Sequence, residues 1–201
     1  QLNQAINAVP GLWVLVSVAY GLTPLAFLSL ALLHLRRVPA HAASGILTWV
    51  VLTSAALLAY NVFPITGPRY VFGADHFLQA LLDGAKQPLG PVQVAMAARN
   101  GMPSMHFGWV LAVSILWWHS GTRAWTRALM ITTTVCTALA TLYLGEHYLV
   151  DLIVAVPFVL AVLAGCARTV PWAARERWLT VLLGAVAWLV WVVLLRFGMP
   201  A

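Results

Sequence analysis

Six long apolar stretches leave this chain few ways to fold. A helix crosses the hydrocarbon core of a bilayer with about 20 mostly apolar residues. Windows of that size predict helices over roughly Leu12–Leu35, Ser44–Val62, Ser104–His119, Arg127–Leu144, His147–Gly165 and Trp178–Arg196. Backbone groups in lipid find no water and must be paired within their own segment, which a helix achieves. The expected fold is an all-α integral membrane protein, a six-transmembrane-helix bundle forming one membrane domain over residues 1–201 with the lipid bilayer as its solvent. Charged residues are 8% of the chain, against about a quarter in soluble domains. Pro24 and Pro157 fall inside two of these helices, where a kink is tolerated because neighbouring helices satisfy the freed carbonyl.

The formal net charge of +6 does not point to nucleic acid. The basic residues stand singly or in pairs in short gaps between apolar runs, a pattern that orients membrane helices rather than tracking phosphates. One set of gaps holds Arg36, Arg37, Arg123, Arg127, Arg168, Arg175 and Arg177; the opposite set holds Arg69, Lys86 and Arg99, with Arg196 ending the last helix on that side. Seven against four places the first set in the cytoplasm. The long connection from Phe63 to Pro103, the turn YLGEH and both termini then face the outer or periplasmic side of a plasma or inner membrane. That connection is proline-rich, with FLQALLDGAK and VQVAMAARN as expected interfacial helices, and loops of its length in compact bundles usually carry function. The chain opens on Gln1 with no basic n-region, which predicts a leader or helix upstream of this numbering. Cys136 and Cys166 lie in apolar runs and read as small buried hydrophobes.

The polar residues of interest gather on the outer face. Ser104, directly after Pro103, is placed to cap the helix that starts there, and free N–H groups at such an end form an anion site. His106 lies in the first turn, at a depth where ionisable groups are expensive and functional by default. In YLGEHYLVD, His147 and Asp151 stand four residues apart and share one helical face. An aspartate there can accept from one ring nitrogen and leave the other as a lone-pair nucleophile. FPITGPRY supplies Arg69, a guanidinium suited to bidentate phosphate contact. These are the parts for phosphoryl transfer through a covalent phosphohistidine, a chemistry that needs no metal and no cofactor.

His34, His41, His76 and His119 read as interfacial or structural, Glu146 as a solvated turn residue, and tryptophans such as Trp117 and Trp188 as belts and packing. Two competing readings remain. His147, His106 and Asp151, with Glu146 added, could form a metal set, though no H-E-x-x-H pattern supports it. A buried His/Asp relay also serves lipid or proton-coupled transporters, but this chain has no internal repeat and clusters its polar residues on one face.

PSMH at 103–106, followed about forty residues later by YLGEHYLVD, resembles the type 2 phosphatidic acid phosphatase (PAP2) superfamily, whose motifs read P-S-G-H and S-R-x5-H-x3-D. The resemblance spans about Phe63 to Pro157 and implies a catalytic core of about residues 63–165. It implies that His147 is the nucleophile, Asp151 its orienting partner, His106 the acid that protonates the leaving group, and Ser104 a phosphate contact. The superfamily's K-x6-R-P motif is not present as such; Arg69 in GPRY is the candidate for its arginine. Met105 replaces the glycine of P-S-G-H, and Ala140 and Thr141 replace the Ser-Arg pair. With HYLVDLI, these departures resemble the inositol phosphorylceramide synthase branch more than the simple lipid phosphatases. That branch implies a phosphotransferase that passes a phosphoryl or phospho-headgroup from a membrane lipid phosphate ester to an alcohol. A lipid phosphatase, with water as acceptor, is the alternative.

Overall fold

A computed structural model describes residue 6 and residues 8–38, 42–72, 100–119 and 123–198. In order, the helices are α1 (Leu12–Arg37), α2 (Ala42–Val62), α3 (Pro68–Phe72), α4 (Met105–His119), α5 (Ala124–Tyr143), α6 (Leu149–Cys166) and α7 (Arg175–Phe197). The described residues contain no strand. All but the one-turn α3 correspond to the six apolar runs within a few residues. Most of the two interfacial helices expected in the long connection, with His41, His76, Lys86 and Arg99, lies outside the described residues.

Among the described residues, three helices are long and apolar enough to cross a membrane, namely α2, α6 and α7. A fourth joins them if Leu12–Leu25 and Phe27–Arg37, bent by 42° against each other, count as one span. The bend follows Pro24, whose ring nitrogen cannot donate to the Tyr20 carbonyl. The expected count of six is therefore met by helices but not by span criteria. α4 has 15 residues, too short for a straight crossing. α5 carries six threonines. Thr133 and Thr134 turn their hydroxyls back to the carbonyls of Leu129 and Met130, both at 2.8 Å, and so hide their polarity. Thr134 Oγ1 also meets Ser114 Oγ at 2.8 Å, joining α5 to α4.

α4 packs against α1, α5 and α6, and α6 against α7. Leu52 and Ala56 from α2, Met105 and Ala112 from α4, and Phe158 and Val159 from α6 make the central core. A second cluster ties Phe27 to Val113, Trp117 and Met130. Apolar side chains also point outward, Leu58 at 68% and Leu183 at 63% exposure, as expected of helices whose solvent is lipid.

One arginine of the set expected on the cytoplasmic side is not a surface charge. Arg177 is 5% exposed and donates to the carbonyls of Ala164, Gly165 and Val170 at 3.0, 2.8 and 2.6 Å. Its guanidinium also lies 3.6 Å from the Trp172 ring centroid. It thereby closes the orphan end of α6 and fixes the entry to α7. Arg177→Met is expected to destabilise the protein by about 2–4 kcal/mol, because a buried carbonyl that loses a charged donor pays its full desolvation cost. Thermal unfolding in detergent measures it. A midpoint within a degree or so of wild type would show the staple to be dispensable.

Candidate active site

The site lies at the end of the bundle where α2 and α5 finish and α4 and α6 begin. The turn from α5 to α6 is bound from several sides. Gly145 takes a left-handed φ of 65°, which a glycine adopts without steric cost. The N–H groups of Glu146 and His147 both donate to the Thr141 carbonyl, at 3.1 and 3.3 Å, strapping the turn onto α5. The Arg69 N–H donates to the Gly145 carbonyl at 2.9 Å. From the third side, Gly101 N–H reaches the Ile65 carbonyl at 2.8 Å and Ser104 N–H the Asp151 carbonyl at 3.3 Å. Segments 65–69, 101–104 and 145–151 are thus one interlocked layer.

His147 is 5% exposed, and its Nδ1 lies 2.8 Å from the Gly101 carbonyl oxygen. A carbonyl can only accept, so Nδ1 carries a proton, and in the neutral ring the lone pair is on Nε2. Asp151 was expected to take this role. Its Oδ2 is 3.6 Å from Nδ1, beyond hydrogen-bonding distance, and accepts instead from the Tyr148 N–H at 2.8 Å. The reason is helical geometry: as the third residue of α6, Asp151 is placed to satisfy the N–H of the residue that precedes the helix. The carboxylate acts on the ring through charge across 3.6 Å. Asp151 and Ser104 are both fully buried, and Asp151 Oδ1 and Ser104 Oγ make no hydrogen bond within the protein. The side-chain cap expected of Ser104 is not formed.

His106 stacks on Tyr20 of α1, with ring centroids 4.4 Å apart, and its Nδ1 is 3.3 Å from the Tyr20 hydroxyl. Trp109 tilts against its other side at 6.1 Å. The Tyr60 hydroxyl donates to the Pro103 carbonyl at 3.0 Å, fixing α2 to the loop before α4. A cavity of about 180 Å³ opens among these groups, lined by both His106 and His147 together with Tyr20, Tyr60, Asn100 and Glu146. Arg69 does not line it. Its guanidinium pairs with Glu146 and lies over the Tyr70 ring, so the expected phosphate ligand reaches the cavity only through that carboxylate. Glu146, expected to be solvated, is instead an ion-pair partner at the cavity wall.

The two departures from the P-S-G-H and S-R motifs have visible consequences. Thr141 is fully buried and bonds its hydroxyl to the Ala138 carbonyl at 2.8 Å, so no cation projects from that position. Met105 packs into the central core and lines the cavity. Among the described residues no three His, Cys, Asp or Glu side chains come together as a metal set. Sequence reasoning missed Tyr20, Tyr60 and the Gly101 carbonyl. The tyrosines carry one signal, a hydroxyl inside an otherwise apolar run.

The helical bundle thus brings two histidines, His106 and His147, to the wall of one cavity. A family model of the PAP2 superfamily matches residues 1–165, and the chain belongs to that superfamily. It is accordingly an integral membrane enzyme of the phosphatase or phosphotransferase kind, acting on lipid phosphate. α7 lies beyond the matched residues. No curated protein and no solved structure matches the chain.

Proposed function

We propose that this enzyme is a phosphotransferase that works through a phosphohistidine at His147 and passes the phosphoryl or phospho-headgroup of a membrane lipid to an alcohol. The observation that carries the reading is the hydrogen bond from His147 Nδ1 to the Gly101 carbonyl at 2.8 Å, because it commits one ring nitrogen and leaves Nε2 as the nucleophile on a cavity shared with His106. Nε2 attacks phosphorus, and the phosphorus–oxygen ester bond breaks. His106 gives its proton to the departing alkoxide and then takes one from the acceptor hydroxyl, whose oxygen displaces the histidine from phosphorus. The ring becomes cationic when phosphorylated, and Asp151, 3.6 Å from Nδ1, stabilises that charge. Ser104 and Arg69 are the proposed phosphate contacts, Arg69 by releasing Glu146.

The proposed topology is six spans, with α4 starting below the outer interface and the site open to the outer or periplasmic face. The cytoplasmic set of arginines at the opposite helix ends supports that orientation. A lipid phosphatase, with water in place of the alcohol, follows from the same first step.

Incubating the purified protein with a labelled phospholipid pool and candidate alcohols, with mass spectrometry of the products, decides the acceptor. New phosphodiester or phosphoryl-alcohol products are expected. Free phosphate alone, whatever acceptor is offered, would make the enzyme a phosphatase. Turnover is further expected to survive exhaustive EDTA treatment and to fall with vanadate, which imitates the five-coordinate phosphorus. Activity lost to EDTA and restored by zinc would overturn the histidine nucleophile.

A further inference from the structure

Two cavities are lined by residues of the same three helices, α1, α2 and α4. The first is the catalytic cavity. The second, of about 260 Å³, is almost wholly apolar and is lined by residues such as Phe27, Ala31, Leu52, Ala112 and Val113. Residues within one turn of each other on the same helices serve the two spaces. On α2, Thr53 lines the first and Leu52 the second; on α4, Trp109 lines the first and Ala112 the second. The Trp109 ring stacks on Phe27 with centroids 5.7 Å apart, so it forms the step between them. From Tyr60 in the first to Thr48 in the second, α2 descends about 18 Å at 1.5 Å per residue.

Two polar atoms belong to residues that line the catalytic cavity. Thr53 Oγ1 and Trp109 Nε1 are buried and make no hydrogen bond within the protein. A buried donor left unpaired is costly, because it has lost its water and gained no acceptor. An indole N–H can only donate and a threonine hydroxyl can donate, so their common complement is an acceptor oxygen. It would sit in the cavity that His106 and His147 also line.

We propose that Thr53 and Trp109 form a linkage-reading subsite for an acyl lipid. They donate to the carbonyl oxygen of the ester or amide that joins a fatty-acyl chain to the lipid backbone, and that chain runs down into the apolar cavity. The proposal rests on reading the His106–His147 cavity as the phosphate site. It selects among lipid phosphates: glycerolipids and N-acylated sphingoid lipids carry such a carbonyl, whereas a polyprenyl phosphate has no oxygen below its phosphate and would leave both donors unpaired.

The test compares three non-hydrolysable phosphonates on the full chain in nanodiscs: a diacylglycerol phosphonate, its dialkyl ether counterpart and a polyprenyl phosphonate. Turnover of the corresponding phosphates is followed in parallel. The diacyl ligand is expected to bind at least about tenfold tighter than the ether, because a site built to hydrogen-bond rejects a ligand lacking the partner. Thr53→Val, nearly isosteric, and Trp109→Phe should each bring that ratio to about threefold or less. Equal affinity for ester and ether, tightest binding of the polyprenyl ligand, or a preference untouched by both substitutions would overturn the subsite. The wild-type ratio decides even if a variant fails to fold. Preference for the ester without turnover of any phosphate would support the subsite and remove the catalytic reading instead.

Discussion

His147→Ala is expected to lower turnover by about ten-thousandfold or more while the protein still binds its lipid phosphate. In the proposed mechanism the imidazole supplies the lone pair that attacks phosphorus, on a cavity that it shares with His106. Binding should persist because Tyr60, Met105 and the apolar valley are untouched. The substitution also removes a bond to the Gly101 carbonyl at 2.8 Å, so folding must be checked by thermal unfolding. Brief reaction with phosphorus-labelled lipid should trap label on the wild-type protein as an acid-labile, alkali-stable adduct and none on the variant. Turnover within tenfold of wild type would remove His147 from the chemistry. Lipid movement across the bilayer with no ester cleavage in the unmodified protein would favour the transporter reading.

Much of the bundle was legible because length alone makes the argument in a membrane: an apolar run near 20 residues has one stable conformation there. The runs ending at Val62 and beginning near Ser104 and His147 brought the polar residues to one end without any knowledge of packing. His147 and Asp151 were legible as a pair from their spacing of four, but the chemistry of that pair was not. Their spacing fixes a shared helical face, not which group receives the ring proton. The acceptor is the backbone carbonyl of Gly101, 46 residues away, and a carbonyl leaves no mark in a sequence. The same limit hid the Arg69–Glu146 pair, 77 residues apart, and the stacking of Tyr20 on His106 across 86 residues. Arg177 was counted among the charges that orient the helices, yet it is buried against three carbonyls, because charge counting records a residue's side of the membrane and not its partners.

Gly67→Ala is expected to cost far more than one methyl group suggests. A Cβ at that position would lie 2.2 Å from the Glu146 carbonyl oxygen, 2.7 Å from its carbon and 2.9 Å from the Gly145 oxygen. All three are backbone atoms, so no side chain can swing aside. The turn cannot retreat freely either, since the Glu146 and His147 N–H groups are strapped to Thr141 and Gly145 accepts from the Arg69 N–H. Overpacking of this kind costs about 1–3 kcal/mol or more. If segment 65–69 moves away, it breaks the Arg69 N–H bond and strains the Arg69–Glu146 pair. If the turn moves, it draws His147 off the Gly101 carbonyl. The second route displaces the proposed nucleophile, and a misplacement near 1 Å costs about a hundredfold in rate. Turnover is therefore expected to fall by at least about a hundredfold, together with the thermal midpoint. Gly21→Ala is the control, because a Cβ there meets nothing within 4 Å and should leave both near wild type. A lowered midpoint with full activity would place the relief in segment 65–69 and make Arg69 dispensable. Activity and midpoint both within error of wild type would show that the turn holding His147 is not clamped by Gly67 at all.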